Sequence, residues 1–211
     1  MCSLYSIKLK KGTTAMEEYL IKRIKNTPNW KEITTLKIDN VLWDSDDSIE
    51  AGAQLCTNGE CLFVHMWTSE EDVLAQYTKP LSPVYKDSCL EFFFKIESQE
   101  NYFNFEINPN GVTIIQYGPD ITNRFNIIRE GEKEYFDIKT NRTPDGWELY
   151  YRIPRTFISM FYNVEYEFQG TLMANMYKCG GATRNFISWS KVNSEKPNFH
   201  RPVDFGIMRI Q

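Results

Sequence analysis

Apolar and polar residues alternate with period two along most of the chain, the signature of strands. In CLFVHMW, Leu62, Val64 and Met66 share one face and Cys61, Phe63, His65 and Trp67 the other, which predicts a strand covered on both sides. LEFFFKI sets Leu90, Phe92, Phe94 and Ile96 against Glu91, Phe93 and Lys95. YFNFEIN sets Phe103, Phe105 and Ile107 against Tyr102, Asn104, Glu106 and Asn108. WELYYRI sets Trp147, Leu149, Tyr151 and Ile153 against Glu148, Tyr150 and Arg152. Turns at Asn58-Gly59, Asn110-Gly111 and Asp145-Gly146 separate these runs. The expected fold is therefore all-β, an antiparallel β-sandwich of the jelly-roll or immunoglobulin-like kind, with short peripheral helices. Helices are expected over residues 14–25, where Met16, Tyr19, Leu20 and Ile24 recur at helical spacing before Pro28, over residues 69–77 behind a Ser69 cap, and after Pro154. The simplest organisation is an N-terminal extension, 1–34, followed by one sandwich domain, 35–211.

Composition narrows the function. Of 211 residues 42% are hydrophobic, enough for a core, and the 14 Phe, 12 Tyr and 5 Trp suit a thick β interior or a ligand that stacks on rings. The net charge of −4 without a basic block argues against nucleic acid as a partner. With no run of 18 apolar residues, no membrane-spanning helix is expected. The first eleven residues carry no apolar signal core, so the expectation is a cytoplasmic chain, or an extracellular or periplasmic one if a signal precedes this sequence. Five cysteines, an odd number without zinc-ribbon spacing, predict neither a disulfide framework nor a zinc site, although Cys56 and Cys61 flank a turn across which a pair is conceivable.

Registry locates a candidate site. Pairing the apolar face of residues 89–96 with that of 101–108 gathers Glu91, Phe93, Asn104, Glu106 and Asn108 on the opposite face, because a one-residue slip would invert a strand. Carboxylates and amides in such a row match sugar hydroxyls, which donate and accept; an ordinary solvated sheet face is the plain alternative. Tyr85, stiffened by Pro80 and Pro83, and Phe199-His200, in the polar loop 188–201, are ring-bearing tips able to clamp a sugar, or to pack on the sandwich edge. Lys178, before Cys179-Gly180-Gly181, could reach the same face or stay in solvent.

The stretches PVYKDSCLEFFF, YFNFEINPNG, ANMYKCGG and FISWSKVNSEKPNFHRPVDFGIMRI resemble, as an ordered set over residues 35–211, the family 9-like carbohydrate-binding modules. The resemblance is nearest to glycoside-hydrolase-associated members from gut-type bacteria. It implies a DOMON-related sandwich that holds a mono- or oligosaccharide between two aromatic rings and serves polysaccharide degradation. The ring positions correspond to Tyr85 and to Phe199, with His200 adjacent; the polar contacts correspond to Glu91, Glu106 and Asn108. Two departures favour a weaker clamp or a different ligand: other aromatics replace both tryptophans, and an acid, Glu106, stands where an arginine is expected. Some family members hold structural calcium, for which Asp44, Asp46 and Asp47 offer hard oxygens, although an Asp-rich turn needs no metal. No other cofactor is expected.

Three other readings compete. A glycoside hydrolase would use Glu91 and Glu106 as its two carboxyls, but an open sheet face offers little desolvation to raise an acid's pKa. Haem is not expected, since His65 and Met66 point to opposite faces. A protein-interaction sandwich would also use exposed rings.

Overall fold

In the computed structural model, residues 16–128 and 131–211 are described. Among them fourteen strands run in chain order: β1 (Glu18–Arg23), β2 (Leu36–Ile38), β3 (Asn40–Val41), β4 (Ala51–Thr57), β5 (Cys61–Ser69), β6 (Cys89–Ile96) and β7 (Tyr102–Ile107), then β8 (Thr113–Gly118), β9 (Phe125–Asn126), β10 (Lys139–Thr143), β11 (Gly146–Pro154), β12 (Gly170–Cys179), β13 (Phe186–Ser188) and β14 (Gly206–Ile210). Helices α1 (Glu132–Tyr135) and α2 (Arg155–Tyr162) are short and peripheral. The strand order is β10-β11-β5-β4-β1-β14-β12-β6-β7-β8-β9. The ladder folds into two layers. One centres on β14, β12, β6, β7 and β8, the other on β4, β5 and β11.

The alternation explains the core. Leu62, Val64, Met66, Leu149, Tyr151 and Ile153 of one layer are buried against Phe92, Phe94, Phe103 and Phe105 of the other. Phe105 and Tyr151 stack across the gap with centroids 5.9 Å apart and planes 18° apart. The other face of β5 is only half covered: Phe63, His65 and Trp67 keep part of their surface, and His65 stacks on Tyr150 at 4.2 Å. Met66 lies in the core on the opposite side.

The sheet is not wholly antiparallel. Strand β1 pairs parallel with β14, Glu18 opposite Ile207, and its last two residues pair parallel with β4, so it passes from one layer to the other. The helix expected over 14–25 is thus a strand where it is described. Tyr19 and Ile21 are buried and Leu20 is exposed, a period of two that β-pairing on both flanks selects over the helical one. Because β1 belongs to the sheet, no gap in the ladder marks residue 34. The expectation for residues 1–15 falls outside the described residues. The helix expected over 69–77 is also absent. There the backbone donors go to side chains, Leu74 N to Ser88 Oγ (2.9 Å), Gln76 N to Asp87 Oδ1 (2.9 Å) and Tyr77 N to Asp87 Oδ2 (3.0 Å), in place of helical carbonyls. The helix after Pro154 is α2. Cys56, Cys61, Cys89 and Cys179 are all buried free thiols, so Cys56 and Cys61 form no bridge.

Candidate functional site

The expected registry holds: Glu91 stands directly opposite Glu106, Phe93 opposite Asn104 and Phe92 opposite Phe105. The face carrying the two acids is not open, however. Segments 42–43, 84–85 and 186–205 fold over it and build a second apolar cluster from Leu42, Val84, Phe93, Tyr102, Tyr177, Phe199 and Phe205. Glu91 is 2% exposed and Glu106 4%. They line a cavity of 390 Å³ whose walls include Trp43, Tyr85, Phe186, Phe199 and His200, with Gln116 and Arg124 at its side.

Each wall is rooted. Pro83 leads into a 3-10 turn at Val84–Lys86, and buried Val84 anchors it below the half-exposed Tyr85 ring. The carboxylate of Asp87 fastens the turn by accepting from Gln76 N, Tyr77 N and Asn108 Nδ2 (2.8 Å). Phe199 stacks on Tyr177 with centroids 4.0 Å apart and planes 14° apart, and Tyr177 Oη donates to its carbonyl at 3.1 Å. It is thus a backed wall, 8% exposed, where the sequence suggested a free loop tip. Trp43 packs on it at 5.4 Å and donates through Nε1 to Ser194 O (2.7 Å), tying the loop down. His200 lies between Phe93 (4.8 Å) and the Arg124 guanidinium, whose Nη1 is 2.6 Å from Nε2; Tyr102 Oη is 2.8 Å from Nδ1.

The electrostatics follow from burial. Desolvation, then the Cys179 thiol and Glu106, push the Glu91 carboxyl well above the usual range. Desolvation carries Glu106 up to about 7, against the opposing pull of Arg124 and of the Asn104 amide, which donates to Oε1 at 2.9 Å. His200 is driven down to about 3 by burial and the neighbouring guanidinium, so its ring is neutral at physiological pH. The cavity lining therefore presents a protonated carboxyl, a partly ionised one, a neutral imidazole and a guanidinium, a mixture of donors and acceptors.

Of the residues singled out from sequence, the cavity brings together Tyr85, Glu91, Glu106, Phe199 and His200. Asn104 stands behind it, spending its amide on Glu106 and on Gln116 Oε1 (3.0 Å). Asn108 is structural: it donates to Asp87 and to Tyr77 O and caps the turn at Asn110 and Val112. Lys178 neither reaches the cavity nor stays in solvent. It pairs with Leu90, on the core side of β12, is fully buried, and meets Glu70 Oε2 at 3.4 Å. Asp44, Asp46 and Asp47 do not converge. Among the described residues the only three acidic, thiol or imidazole groups at ligand spacing are Cys89, Glu91 and Cys179, while Asp46 accepts from Ser48 N in a local turn. Arg124 and Gln116 were missed. Arg124 is the cavity's guanidinium and comes from the loop between β8 and β9, where no alternation marks it; Gln116 belongs to β8, beside Asn104 in the register, and was within reach of the same registry argument.

The comparisons with known proteins agree with this architecture. A solved Bacteroides uniformis protein provisionally described as carbohydrate-binding is 26% identical, with a TM-score of 0.80, covering 93% of this chain and 100% of its own. A carbohydrate-binding module of family 9 from Caldicellulosiruptor kristjanssonii, solved with glucose, shares the fold at 14% identity and a TM-score of 0.63, over 92% of this chain and 96% of its own. The same organism's family 9 module solved with cellotriose gives 13% and 0.64, over 92% and 94%. No curated protein matches the chain significantly. The profile of carbohydrate-binding family 9 matches residues 26–210, nearly the whole sandwich, and the chain belongs to that family.

Proposed function

We propose that the cavity over β6 and β7 binds a neutral mono- or oligosaccharide, without chemistry, in the service of polysaccharide breakdown. The observation that carries this reading is the opposed Glu91–Glu106 pair on the floor of a 390 Å³ cavity with aromatic walls. That volume lies in the range of small-molecule sites. A pyranose offers C–H faces to rings and hydroxyls to a polar floor. Tyr85, the exposed ring, provides the main stacking surface; Trp43 and Phe199 close the other wall. Protonated Glu91 and the Arg124 guanidinium donate to sugar oxygens, while Glu106 and Gln116 accept or donate as the hydroxyls require. The family 9 modules solved with glucose and cellotriose support glucose-type ligands as the first to try.

Burial of both acids gives the glycosidase reading the desolvation that an open face would deny it. Binding remains favoured on geometry. Glu91 and Glu106 rise from neighbouring strands on one sheet face, so both approach a bound sugar from the same side. Hydrolysis needs its two carboxyls flanking the scissile bond.

Calorimetry with glucose, cellotriose and a wider saccharide panel tests the proposal, with reducing-sugar release read in the same mixtures. Tyr85→Ala should weaken binding at least about tenfold, about 1.4 kcal/mol, for loss of one stacking ring, with no turnover in either protein. Unchanged affinity would remove Tyr85 from the site, and turnover abolished by Glu106→Gln would replace binding by catalysis.

A further inference from the structure

Strands β6 and β12 bring together three groups that lie far apart in sequence. Cys89 stands directly opposite Cys179 in the antiparallel register, and Glu91, two residues along β6, is on the same face. The two sulfurs and a Glu91 carboxylate oxygen all lie within 4.8 Å of one another, and Cys179 Sγ is 2.7 Å from Glu91 Oε1. All three residues are buried.

We propose that Cys89, Glu91 and Cys179 form a binding site for a borderline-soft divalent cation, of which Zn²⁺ is the type. Two sulfurs and one oxygen are a poor set for calcium or magnesium, which take oxygen ligands, and a good one for zinc. With Zn–S near ~2.3 Å and Zn–O near ~2.0 Å, tetrahedral donors stand roughly 3.5–3.8 Å apart. The separations of 2.7 Å to at most 4.8 Å bracket that spacing, so shifts of about 1 Å suffice. Glu91 and Cys179 line the cavity, which supplies an entry path. Lys178, the nearest buried cation, is engaged by Glu70 on the other side of β12, while Arg124 acts on Glu91 through space; the negative charge that a cation needs comes from the protons that Glu91 and the two thiols release on binding it. Linear spacing could not reveal the site, because strand register assembles it. The site stands whether or not the cavity takes a sugar.

The test uses the full chain, reduced and stripped with a chelator, then titrated with Co²⁺ by absorption and with Zn²⁺ by calorimetry. One equivalent of Co²⁺ should give tetrahedral d–d bands and a sulfur-to-cobalt charge-transfer band, both displaced by Zn²⁺. Affinity should rise with pH, because the bound thiols release protons. Cys179→Ser and Cys89→Ser should each lower affinity at least tenfold and weaken the charge-transfer band. The triple variant Cys2→Ser/Cys56→Ser/Cys61→Ser should retain both. A wild-type protein without the sulfur-to-cobalt band overturns the proposal, as does a band lost in the triple variant or kept in the Cys89→Ser/Cys179→Ser double variant. If the serine variants at Cys89 or Cys179 fail to fold, the wild-type and triple-variant spectra decide.

Discussion

Replacing Glu106 by glutamine removes one titrating proton from the interior and little else. The side chain keeps its length, and its remaining carbonyl can still accept from Asn104 Nδ2. In the folded chain the carboxyl holds its proton up to about 7, against a usual value of 4.5. The folded state thus binds the extra proton between those limits. Its contribution to stability is complete below pH 4.5, declines as pH rises, and is lost above 7. At about 1.4 kcal/mol per unit, this span corresponds to about 3 kcal/mol. Glu91, whose carboxyl is raised by the same burial and by Glu106 itself, titrates with it as a pair and adds to the same slope. Urea unfolding of wild type and Glu106→Gln from pH 4.5 to 8.5 measures the effect. The wild-type free energy should fall relative to the variant by about 3 kcal/mol across this range, with unchanged m-values. Parallel curves would refute the reasoning, since they would mean that Glu106 ionises in the folded protein as freely as in the unfolded one.

Lys178→Met should cost about 3–5 kcal/mol, because it leaves the buried Glu70 carboxylate with Ser88 Oγ and Trp147 Nε1 as its side-chain donors among the described residues; adding Glu70→Gln should restore most of the loss, and urea melts of wild type, the single and the double variant read both steps. Gly180 sits at φ +64° with its missing Cβ aimed at Asp87 O and 2.6 Å from Tyr85 O, so Gly180→Ala should lower the melting temperature and weaken saccharide binding by shifting Tyr85. Gly59→Ala, also at positive φ but meeting only the end of the Arg23 side chain, is the control that should leave affinity alone. Equal affinities for the two alanine variants would separate Gly180 from the site.

The strands were legible because each apolar face keeps strict parity: Phe92 and Phe94 can meet Phe103 and Phe105 only in a register that also pairs Glu91 with Glu106. What covers that pair was not legible. Polar residues in a strand read as solvent-facing, and their burial here depends on loops whose seats are long-range, such as Asp87 to Asn108 and Trp43 to Ser194. Lys178 illustrates the same limit. Its partner Glu70 lies in a stretch that local spacing assigned to a helix, and that stretch is held instead by Asp87 and Ser88. In β1 the apolar residues satisfied two periods at once, and only the neighbouring strands chose between them.

The parallel seat of β1 has a bearing on the order in which the sandwich can assemble. The segment Glu18–Ile21 finds its partner at Ile207–Ile210, almost two hundred residues away along the chain. Before that pairing forms, β4 already has β2, β5 and the end of β1 as neighbours, while the long edge of β1 stays unmated, and the missing closure is a non-local and slow one. Closing the β1–β14 seam is therefore a step of high loop-closure entropy, and substitutions in residues 206–210 that weaken it should slow refolding more than they speed unfolding.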